Sequence, residues 1–123
     1  MKFRAARHTN NLNPVINFYT EILGLEVLGS FRDHDGYDGV FIGKPGADWH
    51  LEFTTSDEPA KHQPDEDDLL VFYPASAEEY TAITTRFAQH NIPPAEPKNP
   101  YWKINGTLYK DPDGFGVMVV KPV

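Results

Sequence analysis

Two short alternating stretches carry most of the chemistry this sequence offers. In Phe3 to Thr9, strand alternation puts Arg4, Ala6 and His8 on one face. In Trp49 to Thr54 it puts His50, Glu52 and Thr54 on one face. A carboxylate beside an imidazole can act as a general base, or can hold the hydrogen-bonding end of a small ligand next to a guanidinium. Glu52 is the only candidate for a catalytic role. His8, His50 and Glu52 are also the one set that could furnish three ligands to a divalent ion, a number such an ion needs. Spacing permits that set without requiring it, and no metal site is favoured. Simpler readings stand beside these: Arg4 and Glu52 as a buried ion pair, His50 as a strand residue satisfied by one hydrogen bond.

A second cluster lies at Tyr101-Trp102. Read as part of a strand over Tyr101 to Ile104, these adjacent aromatics point to opposite faces, one into the core and the other available as a stacking platform. Packing of both rings is the alternative. Phe31 to Gly39, rich in aspartate and glycine, reads either as a lid or as an ordinary hairpin connection. His34, His62 and His90 read as surface residues in a loop, a linker and a helix end. No phosphate-cradling glycine loop, nucleophile elbow or serine–histidine–aspartate order is present.

The elements that must position these residues occur twice. Pro14 suits a first helical turn and Gly24 a left-handed helix end, with Val15, Ile16, Tyr19, Ile22 and Leu23 as the buried stripe between them. Strands over Leu25 to Phe31, Gly39 to Gly43 and Trp49 to Thr54 follow, the last two joined by a Lys44-Pro45-Gly46 turn. After a break, Leu69 to Tyr73 is a strand. Ser76 and Glu79 form a capping box for a helix whose stripe is Tyr80, Ile83, Phe87 and Ala88, and Asn91 ends it. Three further strands close the chain, the last two separated by Asp111-Pro112-Asp113-Gly114, with Asn105-Gly106 as a hairpin turn. The fold class is α+β: two tandem βαβββ modules, residues 1–55 and 69–123, around a linker at 56–68. Two units too small to bury their own apolar faces are expected to share one core and a cleft, as an open mixed-sheet barrel with the helices outside.

The 123 residues, 40% of them hydrophobic, suit one domain. The net charge of −7 is concentrated in the linker, where six acids face one Lys61. Carboxylate repulsion with Pro59 and Pro64 predicts an extended, solvated segment there. No basic stripe tracks phosphates, so nucleic acid is not an expected partner. No apolar run spans a membrane and no apolar leader follows Met1, so the expected location is cytoplasmic. The absence of cysteine removes disulfides and thiolate chemistry.

Phe18-Tyr19 with Leu23-Gly24-Leu25, the Asp111-Pro112-Asp113-Gly114 turn before a final strand, and the duplicated strand order together resemble the vicinal-oxygen-chelate superfamily of glyoxalases, extradiol dioxygenases and fosfomycin- and bleomycin-resistance proteins. The resemblance covers essentially the whole chain. It implies a ligand in the cleft, frequent homodimers and, in the enzymes, one divalent metal. The four ligand positions it implies fall here on Arg4, Glu52, Leu69 and Met118, of which only Glu52 matches. The expectation is therefore a glyoxalase- or bleomycin-resistance-like protein that binds a small organic molecule through Arg4, His8, His50, Glu52, Tyr101 and Trp102, with no cofactor. The alternative is an atypical metal-dependent lyase or dioxygenase using Glu52 with nearby histidines.

Overall fold

The computed structural model describes all residues, Met1–Val123. It divides into two compact units, Met1–His62 and Gln63–Val123.

In the first unit, β1 (Phe3–His8), β2 (Glu26–His34), β3 (Tyr37–Gly43) and β4 (Trp49–Thr55) form one mixed sheet in the order β1-β4-β3-β2. β1 runs parallel to β4, whereas β3 is antiparallel to both neighbours. A helix, α1 (Leu12–Asn17), follows β1. Asn11 caps it, its side-chain oxygen accepting from the Asn13 N–H at 3.1 Å. The helix then widens into a π-helical turn, Phe18–Ile22, in which the Leu23 N–H reaches the Phe18 carbonyl at 3.0 Å. Phe18 joins Val15, Tyr19, Ile22 and Leu23 in the buried set. These side chains and the buried face of the sheet (Val40, Ile42, Leu51 and Phe53) form the first unit's core, with the Tyr19 and Phe53 rings stacked at 5.1 Å. Gly24, at φ 98°, makes the left-handed exit that its position predicted.

The second unit contains β5 (Leu69–Phe72), α2 (Ala77–Gln89), α3 (Tyr101–Asn105), β6 (Gly106–Lys110) and β7 (Gly116–Val120). Its sheet has the order β5-β7-β6, with β5 parallel and β6 antiparallel to β7. The Ser76 hydroxyl accepts from the Glu79 N–H at 3.1 Å, as the capping signature predicted. Ile83 and Phe87 are buried, and the Phe87 ring lies flat on Tyr109 with centroids 3.7 Å apart. Asn91 ends the helix at φ 58°. Asp111 organises the last turn: its buried carboxylate accepts from the N–H groups of Asp113 at 2.9 Å and Phe115 at 3.0 Å.

The architecture is α+β, and several local expectations are corrected. Phe31 to Gly39 is not a lid: β2 and β3 run on and reverse at Asp35-Gly36, where both residues have positive φ. Tyr101 to Ile104 is not a strand. Asn99 accepts from the Tyr101 N–H at 3.1 Å, and the following 3₁₀-type bonds wind the segment into α3, so this unit has three strands rather than four. Gly106 accordingly begins β6 and is not part of a hairpin turn. Ala88 is exposed. The acidic segment is not simply extended. The Ala60 N–H donates to Asn10 at 2.7 Å, and Asp65 to Asp68 closes a turn in which carboxylates accept backbone N–H groups. Those bonds outweigh repulsion between exposed, water-screened charges.

A candidate ligand-binding face on the first sheet

The first unit's sheet has a second face, opposite its helix, built by the same alternation that builds the core. Arg4 on β1 is register partner to His50 on β4, and Glu52 on β4 is partner to Phe41 on β3. The Arg4 Nε–H donates to His50 Nε2 at 2.8 Å. A guanidinium only donates, so His50 Nε2 is the acceptor in this bond. A terminal Arg4 nitrogen lies 3.8 Å from a Glu52 oxygen, and the guanidinium carbon stands 4.7 Å from the Phe41 centroid. Phe41 also meets His50 edge-on at 5.8 Å and Phe31 at 5.7 Å.

Two features distinguish this cluster from a closed salt bridge. At 3.8 Å the Arg4–Glu52 pair is beyond hydrogen-bond reach. The Glu52 side chain is only 15% exposed, against 49% for Arg4, yet its carboxylate accepts no hydrogen bond from the protein. No fully buried side-chain oxygen lacks a partner, so the carboxylate oxygens are reached from the face of the sheet, where a donor brought from outside could take the place of water. Two glycines leave room for the aromatic rings to lie close against the sheet. The three atoms nearest the place where a Cβ would stand on Gly39 all belong to the Phe31 ring, and the atom nearest that place on Gly29 is a Phe41 ring carbon at 3.5 Å.

His8 is held elsewhere, at the end of β1. Its Nε2 pairs with the Ser56 hydroxyl at 3.0 Å, its carbonyl is bonded to His62 Nε2 at 2.6 Å, and its ring is 6.2 Å from Tyr37. His62, expected on the surface, is thus a half-buried clamp on β1. His8, His50 and Glu52 are not brought together: no group of three or more His, Asp or Glu side chains is arranged to hold a metal ion. At the four positions that the resemblance implied for metal ligands stand Arg4, whose guanidinium donates to His50, Glu52, and Leu69 and Met118, which offer no hard donor. The residues present do not fit the usual divalent ion. Tyr101 and Trp102 lie in the second unit on α3, their rings edge-to-face at 4.9 Å, with Tyr101 exposed and Trp102 half-buried. Sequence reasoning missed Phe41 and Phe31; alternation with Glu52 across β3 and β4 was the signal for Phe41.

Residues 3–54 match the YycE-like N-terminal domain and residues 67–121 the YycE-like C-terminal domain. The uncharacterized protein YycE of Bacillus subtilis is 43% identical over 121 residues, spanning 95% of this chain and 85% of that protein. The chain belongs to the YycE-like family. A crystal structure of a YycE protein of unknown function from Bacillus subtilis, described provisionally as a glyoxalase/fosfomycin resistance protein, superposes with a TM-score of 0.89 at 41% identity, covering 99% of this chain and 90% of that one. The trypanothione-dependent glyoxalase I of Leishmania major shares the fold at a TM-score of 0.73 and 22% identity, over 96% and 84% of the two chains. TnmS3, an antibiotic binding protein from Streptomyces sp. CB03234, does so at 0.69 and 18%, over 100% and 96%. The YycE-like chain is therefore a member of the vicinal-oxygen-chelate superfamily. No helix in it is long and apolar enough to cross a membrane.

Proposed function

We propose that this YycE-like protein binds a small organic molecule on the open face of its first sheet, without the divalent metal usual in the superfamily's enzymes. The observation that carries the reading is Glu52, its side chain mostly buried and its carboxylate accepting nothing from the protein, beside a half-exposed Arg4 and an aromatic floor of Phe41 and Phe31. A ligand hydroxyl or N–H would donate to Glu52. An oxygen on the same ligand would accept from the outward Arg4 nitrogens, and a flat body would lie against the rings. The likeness in fold to an antibiotic binding protein supports the binding reading, and the likeness to a glyoxalase supports a small-molecule site in general. Glu52 is also the residue placed to take a proton, should the bound molecule be turned over. A homodimer is the assembly proposed, checked by light scattering.

The test is a thermal-shift screen of small hydroxylated aromatic compounds, since a ligand that binds only the folded state raises Tm. Hits are expected to lose their effect on Glu52→Ala and on Arg4→Ala. Hits indifferent to both substitutions, or none at all, would remove the site from this face. Elemental mass spectrometry on untagged protein supplies the competing outcome: about one tightly held ion per chain, lost on Glu52→Ala or His50→Ala, would establish the metal-dependent alternative.

A further inference from the structure

A cavity of about 630 Å³ lies wholly within the second unit, between α2, β6 and the Asn91–Pro94 segment that follows the helix. That volume falls in the range of about 300–1,000 Å³ typical of small-molecule sites. Its walls are Ala88 and Thr84 of α2 and the run Ile92-Pro93-Pro94. Its polar groups gather on one side, where the Tyr80 hydroxyl and the Thr107 hydroxyl are bonded to each other at 2.7 Å. Thr84 is also spent, donating to the Tyr80 carbonyl at 3.1 Å.

Tyr109 is different. It lines the same cavity with its ring buried, and its hydroxyl has no hydrogen-bond partner in the protein; since no fully buried side-chain oxygen lacks a partner, the small exposure that remains includes this hydroxyl. Its ring cannot turn away to find one, because it is stacked on Phe87 at 3.7 Å and 6°. Burial, with the neighbouring Tyr80 phenol adding to it, pushes its pKa up to about 12, so the hydroxyl stays protonated and able to donate. A donor that meets only solvent at a cavity wall is open to an acceptor on an entering ligand, which would take the place of water there. No Lys, Arg, His, Asp or Glu lines the cavity, so nothing there would compensate the desolvation of a charged ligand.

We infer that this cavity is a binding site for an uncharged small molecule with an apolar body and one carbonyl or ether oxygen, which accepts from the Tyr109 hydroxyl. The site is separate from the Arg4–Glu52 face, and neither depends on the other. The probe is acetophenone, titrated into the full chain and followed by two-dimensional ¹H–¹⁵N NMR, with α-methylstyrene as the partner that keeps the shape and lacks the acceptor. Acetophenone is expected to give saturable shifts at the amides of Thr84, Ala88, Asn91, Thr107 and Tyr109, and to bind about tenfold more tightly than α-methylstyrene, the worth of one buried hydrogen bond. Tyr109→Phe keeps the ring on Phe87 and should make the two compounds equal. Ala88→Trp, at an exposed helix position, should fill the mouth and abolish binding of both while the rest of the spectrum stays native. Absence of saturable shifts up to the solubility limit, shifts mapping elsewhere, or a preference for acetophenone that survives Tyr109→Phe would each overturn the assignment.

Discussion

Gly39→Ala tests how the candidate face is built, because the substitution sets two opposed effects of similar size against each other. The backbone at Gly39 is outside the left-handed region, so alanine can adopt it without strain. In a strand interior alanine alone would be favoured over glycine by about 0.5–1 kcal/mol. The Phe31 ring stands in the way: three of its carbons lie within 3.0 Å of the place the new Cβ must take. Restoring van der Waals separation moves the ring by roughly 1 Å or more. Phe31 is half-buried, so losing its seat forfeits about half of the ~1.5–3 kcal/mol that a fully buried phenylalanine contributes. Its contact with Phe41 at 5.7 Å adds about 0.5–1.5 kcal/mol. Gly39→Ala should therefore destabilise the protein by about 1 kcal/mol in urea unfolding. In a Phe31→Ala background the same change should stabilise by about 0.5 kcal/mol, because the obstruction is gone. The reversal of sign is the decisive observation. An equal cost in both backgrounds, with a coupling energy below about 0.5 kcal/mol, would refute the account of the aromatic floor.

Two further outcomes follow from buried polar groups in the second unit. Tyr109 keeps its proton in the folded protein to about pH 12, against an ordinary value of 10.0. In between, only the unfolded chain loses that proton, so stability is fully present below pH 10 and falls as pH rises. The fall should be on the order of 1 kcal/mol between pH 9 and 11, and urea unfolding of Tyr109→Phe should lack that increment; parallel declines would contradict the assignment. Asp111→Ala should cost about 2–3 kcal/mol, since it strands the N–H groups of Asp113 and Phe115, whereas Asp111→Asn should recover much of the loss. An asparagine as damaging as alanine in the same assay would mean that the side-chain oxygen is not what holds the turn.

Much of this fold was legible where a local signal and the tertiary structure agree. Ser76 capped the helix it preceded, Gly24 and Asn91 took the left-handed positions at helix ends, and alternation placed Arg4, His50 and Glu52 on one face. The misreadings lie where local signals were weak or competed. Asp33-His34-Asp35-Gly36 looked like a long connection because its charges suggest a solvated loop, yet the strands on either side pair almost to the turn. Tyr101-Trp102 carried β propensity that Asn99 and Pro100 overrode by starting a helix. His62 gave no signal at all for its bond to the His8 carbonyl, 54 residues away.

By itself the sequence determined the class of fold, the repeat, the caps and turns, and which residues share a strand face, because each follows from backbone geometry over a few neighbouring positions. Only the tertiary structure decided that Arg4 is tied to His50 rather than paired closely with Glu52, that His8 belongs to Ser56 and His62, and that Tyr109 lines a cavity with its ring held on Phe87. Those are distances of a few ångströms between atoms far apart along the chain, and strand register and side-chain packing fix them, not local pattern.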